Sequence, residues 1–190
     1  MDPKTFNRIK KCLLAAILSV MAGVLVTVNI RGAVKVPAKA DGLYFQDISL
    51  DTFQGGRYTA ADVFQNRLTV FHVWNPYCTA CLREMPLLSA LDKEYAEKGV
   101  RIVGIEGDAY LYPEDIEKAR TLAGGNGLVQ LLADRTFTEE ILPLINNGYP
   151  CSFLVDGHGI IRDRRAGTMS ETEWRTWLDT ALLLSVNTAG

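Results

Sequence analysis

Cys78 and Cys81 are separated by Thr79 and Ala80, and two thiols at that spacing can close and reopen a disulfide without unfolding the chain around them. Upstream, Leu68-Thr69-Val70-Phe71-His72-Val73-Trp74 is apolar and β-branched, which predicts a buried strand, and Asn75-Pro76-Tyr77 interrupts it. From Cys81 to Tyr95, Leu82, Met85 and Leu88 recur at helical spacing. The pair therefore falls at a helix N-terminus, where unpaired N–H groups and the macrodipole favour an anion. Cys78 is the better-placed thiolate and so the attacking sulfur. Cys81, one turn further on and toward the packed face, would resolve the mixed disulfide. A zinc half-site is the rival, but zinc takes four ligands, and the two other cysteines and two histidines form no second paired spacing. A dithiol cycle fits these residues better than metal or a static structural disulfide, and it needs no cofactor.

The other elements must hold this pair in place. The 190 residues, 48% of them hydrophobic, suffice for one core plus an appendage. A net charge of -2 provides no basic field for nucleic acid. From Cys12 to Val28 no residue is charged, and Asn29-Ile30 extend the run to Arg31, which predicts a transmembrane helix over residues 12–30. Lys4, Arg8, Lys10 and Lys11 precede it and keep residues 1–11 cytoplasmic. A cleavable signal peptide is the alternative, with Ala38-Lys39-Ala40 as cleavage site, but that site lies far from the apolar run. On either reading the cysteine pair faces an extracytoplasmic space, where disulfides persist.

Residues 31–42 read as a linker and 43–186 as the globular domain. Phe45–Leu50 and Thr52–Tyr58 predict short strands, Ala60–Phe64 a helical turn, Val100–Ile105 a core strand, and Pro113 the start of a helix ending at Gly124-Gly125. Leu128–Ala133 and Cys151–Val155 predict strands, Thr138–Leu144 a short helix, and Asp156-Gly157-His158-Gly159 a hairpin turn into Ile160–Arg165. Ser170 and Glu173 form a capping-box pattern for a last helix that presents Trp174, Trp177, Leu178, Ala181 and Leu182 to the core. This order describes an α/β domain: a central mixed sheet with helices on both faces.

The run Val73-Trp74-Asn75-Pro76-Tyr77-Cys78-Thr79-Ala80-Cys81-Leu82-Arg83-Glu84-Met85-Pro86 resembles the active-site segment of the TlpA/ResA-like thiol-disulfide oxidoreductases, membrane-anchored members of the thioredoxin superfamily. Three further segments resemble that family in order: Gly99–Ile105, Gly148-Tyr149-Pro150 with Ser152–Asp156, and Gly167-Thr168-Met169. The resemblance implies a thioredoxin-like three-layer α/β/α sandwich preceded by one transmembrane helix. It implies Cys78 as attacking thiol, Cys81 as resolving thiol, and a cis peptide at Pro150 beside the disulfide, with Trp74, Tyr149 and Pro150 at the substrate-binding surface. It also implies that Glu84 accepts the Cys81 proton, provided burial raises its pKa. Trp74 is expected chiefly to pack, with a lesser part in shielding the disulfide. The partners implied are protein thiol or disulfide substrates, apocytochrome c among them, and a membrane dithiol electron donor.

Departures from the pattern matter. Ala80 stands where Pro is common and Tyr77 where Trp is usual, so no reduction potential transfers. Cys151 directly follows the cis-proline position, where Thr is common, and reads as a small buried thiol. His72 and His158 need no catalytic role on this reading. An oxidase or isomerase of the same fold is the nearest alternative. Against a copper-delivery module stands the missing histidine near the pair in this sequence, and peroxide reduction usually needs a threonine where Asn75 stands.

Overall fold

The structure, a computed structural model, describes residues 43–145 and 148–186. The chain divides into two units, 1–35 and 36–190, and every described residue belongs to the second. The predicted cytoplasmic tail, membrane span and linker lie outside the described residues. Among the described residues, no helix is long and apolar enough to cross a membrane.

Five strands form the central sheet: β3 (Leu68–Trp74), β4 (Val100–Glu106), β5 (Val129–Leu132), β6 (Cys151–Asp156) and β7 (Ile161–Ala166), in the order β5-β4-β3-β6-β7. β3, β4 and β5 run parallel, β6 is antiparallel to them, and β7, antiparallel to β6, runs again in the direction of β3, so the sheet is mixed as expected. β3 lies at its centre and all seven of its residues are buried. Successive side chains point to opposite faces. Phe71 and Val73 enter one core with Phe45, Val63, Phe137 and Phe153. Leu68 and Val70 enter the other with Leu88, Leu91, Tyr95, Trp174 and Leu178. Each fully buried side chain of this size stabilises the fold by roughly 1.5–3 kcal/mol, so the two cores together fix the sheet between its helical layers.

One face carries α3 (Thr79–Tyr95) and α6 (Glu171–Val186). Asp92 on α3 locks that helix to β4: one carboxylate oxygen accepts the Ile102 N–H at 2.7 Å, and Arg101 donates to both oxygens. The capping box at α6 forms as expected, with the Ser170 N–H and hydroxyl both donating to Glu173 at 2.7 Å. Pro86 lies on the exposed side of α3, where the helix runs through it at the loss of one backbone hydrogen bond.

The N-terminal part departs from expectation. Leu43–Gln46 forms a helical turn, α1, rather than a strand, because Phe45 and Ile48 reach the same core from positions three apart, with Phe45 stacked 4.4 Å from Phe71. The strands are shorter than expected, β1 (Ser49–Asp51) and β2 (Arg57–Thr59), and they pair as a separate hairpin followed by α2 (Ala60–Phe64). The helix expected over Thr138–Leu144 begins earlier, as α5 (Arg135–Glu140). Asp134 caps it by accepting the Phe137 N–H at 2.8 Å, and Pro143 sits in a short 3-10 turn beyond. Pro113–Asp115 is likewise a 3-10 turn that leads into α4 (Ile116–Ala123).

Candidate active site

β3 ends at Trp74, and Asn75-Pro76-Tyr77 carries the chain across the sheet's C-terminal edge to Cys78, the N-cap residue of α3. Asn75 sets this loop. Its side-chain oxygen accepts the Tyr77 N–H at 3.0 Å, its backbone oxygen accepts the Cys78 N–H at 3.1 Å, and its amide donates to Asp108 at 2.9 Å. The other oxygen of Asp108 accepts the Tyr149 hydroxyl at 2.6 Å. One carboxylate thus ties the redox loop to the segment that precedes Pro150. Gly107 makes that approach possible, since a Cβ there would lie 2.7 Å from the Tyr149 hydroxyl.

Cys78 and Cys81 form a disulfide with their Cα atoms 5.3 Å apart. The Cys81 N–H donates to the Cys78 sulfur at 3.1 Å, so that sulfur occupies the place of a helix-capping anion. The two sulfurs differ in access. Cys78 is partly exposed, whereas Cys81 is wholly buried among Trp74, Met85, Ala119 and Ala123.

Trp74 is 0% exposed and so offers a substrate no surface; the substrate contact expected of it gives way to packing against the Cys81 side of the pair. Its indole N–H donates to Gln130 on β5 at 2.9 Å. Gln130 occupies the space over Gly104, where a Cβ would lie 2.0 Å from its side-chain oxygen. The Tyr149–Pro150 peptide is cis. The Pro150 carbonyl accepts the Gly167 N–H at 2.8 Å, so this oxygen is engaged within the domain rather than offered to a substrate strand.

Glu84, one helical turn beyond Cys81, is buried rather than solvated, and burial pushes its carboxyl pKa up. One oxygen accepts the Met169 N–H at 2.8 Å and the Trp174 indole N–H at 2.7 Å. The other has no hydrogen-bond partner and lies 4.0 Å from His72 Nε2, which also has none. His72 Nδ1 pairs with the Ser152 hydroxyl at 3.0 Å, and complete burial pushes the imidazole down to about 4. The ring is therefore neutral near pH 7, and the contact with Glu84 is not an ion pair. Reading His72 from its strand position alone misses this neighbour.

A second buried carboxylate also escapes the sequence reading. Glu106, opposite Trp74 in the β3–β4 register, is 2% exposed and is pushed up to about 7, first by burial and further by Asp108 and Asp115. Cys151, opposite Val73, is a free buried thiol pushed up to about 11 by burial, the small apolar role expected of it. Among the described residues, no group of three or more histidines, cysteines or acids is arranged to hold a metal ion.

A buried and a partly exposed cysteine at the N-terminus of a helix on a thioredoxin-like mixed sheet define a thiol-disulfide oxidoreductase. The profile of the AhpC/TSA family matches residues 42–164, and the chain belongs to that family. It is similar to the thiol:disulfide interchange protein DsbE of Pseudomonas fluorescens biotype C, with 30% identity over 142 residues, 74% of this chain and 75% of the relative. It is also similar to the thiol-disulfide oxidoreductase ResA of Geobacillus kaustophilus, with 25% identity over 161 residues, 84% of this chain and 88% of the relative. Its fold matches the crystal structure of a thioredoxin-family thiol:disulfide interchange protein from Chlorobium tepidum TLS, with TM-score 0.60 and 20% identity over 71% of this chain and 92% of that one.

Proposed function

We propose that this protein is held in a membrane by residues 12–30 and reduces disulfides of exported proteins, apocytochrome c among them, on the extracytoplasmic side. The unequal access of the two sulfurs carries the reading. The Cys78 thiolate attacks a substrate disulfide, forming a mixed disulfide and releasing one substrate sulfur as thiolate. Cys81 gives up its proton and attacks the Cys78 sulfur, which breaks the mixed disulfide and releases the second substrate thiolate. Two electrons pass from the dithiol to the substrate, and the Cys78–Cys81 disulfide remains until a membrane dithiol donor reduces it.

Glu84 is the acceptor of the Cys81 proton in this scheme. Its burial and raised pKa support that role, because a carboxyl nearer working pH can take and return a proton. Tyr149, packed against the same apolar cluster as the two cysteines, and Pro150, joined to it by the cis peptide, flank the arriving substrate in this scheme. Relatives named thiol:disulfide interchange protein and thiol-disulfide oxidoreductase support the exchange chemistry.

Replacing Cys81 by Ser in the full chain tests the reading. Attack through Cys78 then stalls at the mixed disulfide, and the covalent partners isolated from membranes are exported proteins. A folded variant that accumulates no mixed disulfide contradicts the proposal.

A further inference from the structure

Beside the redox loop, Pro76, Tyr77, Glu106, Asp108, Tyr112 and Asp115 line a pocket of about 310 Å³. That is the small end of ligand pockets, the size for one side chain rather than a cofactor. Three of the six lining residues are acids and none is basic. Glu106 forms part of its wall while being 2% exposed, held by a backbone built into the sheet between Trp74 and Leu132.

The polar groups in this pocket are unevenly satisfied. Both Asp108 oxygens are engaged, by Asn75 and Tyr149. Asp115 accepts the Tyr77 hydroxyl at 2.7 Å through one oxygen. Glu106 accepts only the long Asp108 N–H contact, 3.2 Å, through Oε1, and its Oε2 accepts no hydrogen bond from the protein. Unlike Glu84 Oε2, this oxygen is not sealed away from solvent, and with the residue lining the pocket it is left open to a donor brought from outside. A cation entering the pocket would supply both the donor and the charge. The rim suits a peptide that brings one: Tyr77 is 65% exposed and Tyr110, Leu111 and Tyr112 about half exposed. The Tyr77 ring already attracts Lys118, whose ammonium lies 3.4 Å from its centroid, which leaves Tyr112 as the free aromatic wall.

From this geometry we infer that the pocket binds a lysine or arginine side chain of the protein substrate close to the cysteine under attack, so that the oxidoreductase selects disulfides flanked by a basic residue. The inference rests on the proposed exchange function and names the substrate class of that same site. Tyr77 carries both ends of the arrangement, since it lines the pocket and immediately precedes Cys78.

The groups facing Glu106 are Asp108 and Asp115, both acidic, and the Tyr149 phenol. A bound cation therefore meets a carboxyl that loses its proton near neutrality, and selectivity must grow as pH rises.

The test uses the prereduced full chain and disulfide peptides identical except for arginine, alanine or glutamate beside one cysteine. The expected kcat/KM favours arginine over alanine by about tenfold, the low end for close charge pairs across an interface, with glutamate poorest. Glu106→Gln brings the arginine and alanine peptides to within about twofold, and Asp115→Asn weakens the preference less. Should Glu106→Gln not fold, the native chain decides alone, because its arginine-to-alanine ratio must rise from about pH 6 to about pH 8. A ratio near one, a preference unchanged in folded Glu106→Gln, or a ratio flat with pH overturns the inference. Binding without exchange is read separately, from amide NMR shifts of Asp108 and Asp115 with peptides whose cysteines are replaced by serine. Equal shifts with arginine and alanine peptides overturn the pocket, whereas selective shifts without turnover uphold it and count against the redox reading alone.

Discussion

Glu84 Oε2 and His72 Nε2 face each other 4.0 Å apart inside the domain, and neither has a hydrogen-bond partner. That separation is too long for a direct bond. The opposite oxygen of Glu84 is saturated by Met169 and Trp174, which fix the carboxyl while leaving one oxygen free to take a proton. Glu84→Gln keeps the shape and removes that capacity. Stopped-flow resolution of a preformed mixed disulfide should then slow by about 100-fold, the low end for lost general base catalysis. Initial attack by Cys78 should change little. An unaltered resolution rate would remove Glu84 from the proton path.

Two buried groups give stability opposite dependences on pH. His72 has its folded pKa lowered from 6.5 to about 4, so its contribution is full above 6.5 and is lost as pH falls through that window. Glu106 has its folded pKa raised from 4.5 to about 7, so its contribution is full below 4.5 and is lost as pH rises toward 7. Urea denaturation across this range should show His72→Asn flattening the acid side and Glu106→Gln flattening the approach to neutrality. If each variant's stability runs parallel to that of the parent chain at every pH, these assignments are wrong.

The Gly104–Gln130–Trp74 stack predicts a packing effect some distance from the sulfurs. Alanine at Gly104 would place a Cβ 2.0 Å from the Gln130 oxygen and force it off the Trp74 indole. Gly104→Ala should cost about 1–3 kcal/mol through overpacking and the lost acceptor. Gly125→Ala, with nothing within 4 Å of the new Cβ, serves as the control. Equal denaturation midpoints for the two variants would contradict this reading of the stack.

Much of this fold is legible in the residue pattern. β3, β4 and β6 are short apolar runs bounded by turn residues, and α6 announces itself through Ser170 and Glu173 and an apolar stripe. Cys78 and Cys81 stood out because spacing and a helix N-terminus together specify their chemistry. Phe45 and Ile48 misled, because an apolar run of that length suits a strand or a helical turn and only the Phe71 stack decides between them. The neighbours of His72 and Glu106 were invisible for a related reason. Each sits in a strand, and what it faces comes from α3 or from the loop after β4, a pairing set by tertiary packing rather than by local pattern.

Asn75 bears on a further activity of this architecture. A peroxidatic site usually carries threonine three residues before its cysteine; here Asn75 stands there, its side chain committed to Tyr77 and Asp108. The reduced chain should consume no hydrogen peroxide in a coupled assay. Turnover of peroxide that disappears in Cys78→Ser would refute this.

The central claim is that one sulfur is reactive and its neighbour is held in reserve. It is tested most directly by alkylating the prereduced, native full chain across a range of pH and reading each cysteine by mass spectrometry. Cys78 should react fastest, with an apparent pKa below the ordinary thiol value of about 8.5. Cys81, wholly buried, and Cys151, pushed up to about 11, should stay protected. Cys78 and Cys81 both inert near neutral pH, or Cys81 reacting ahead of Cys78, would contradict the account.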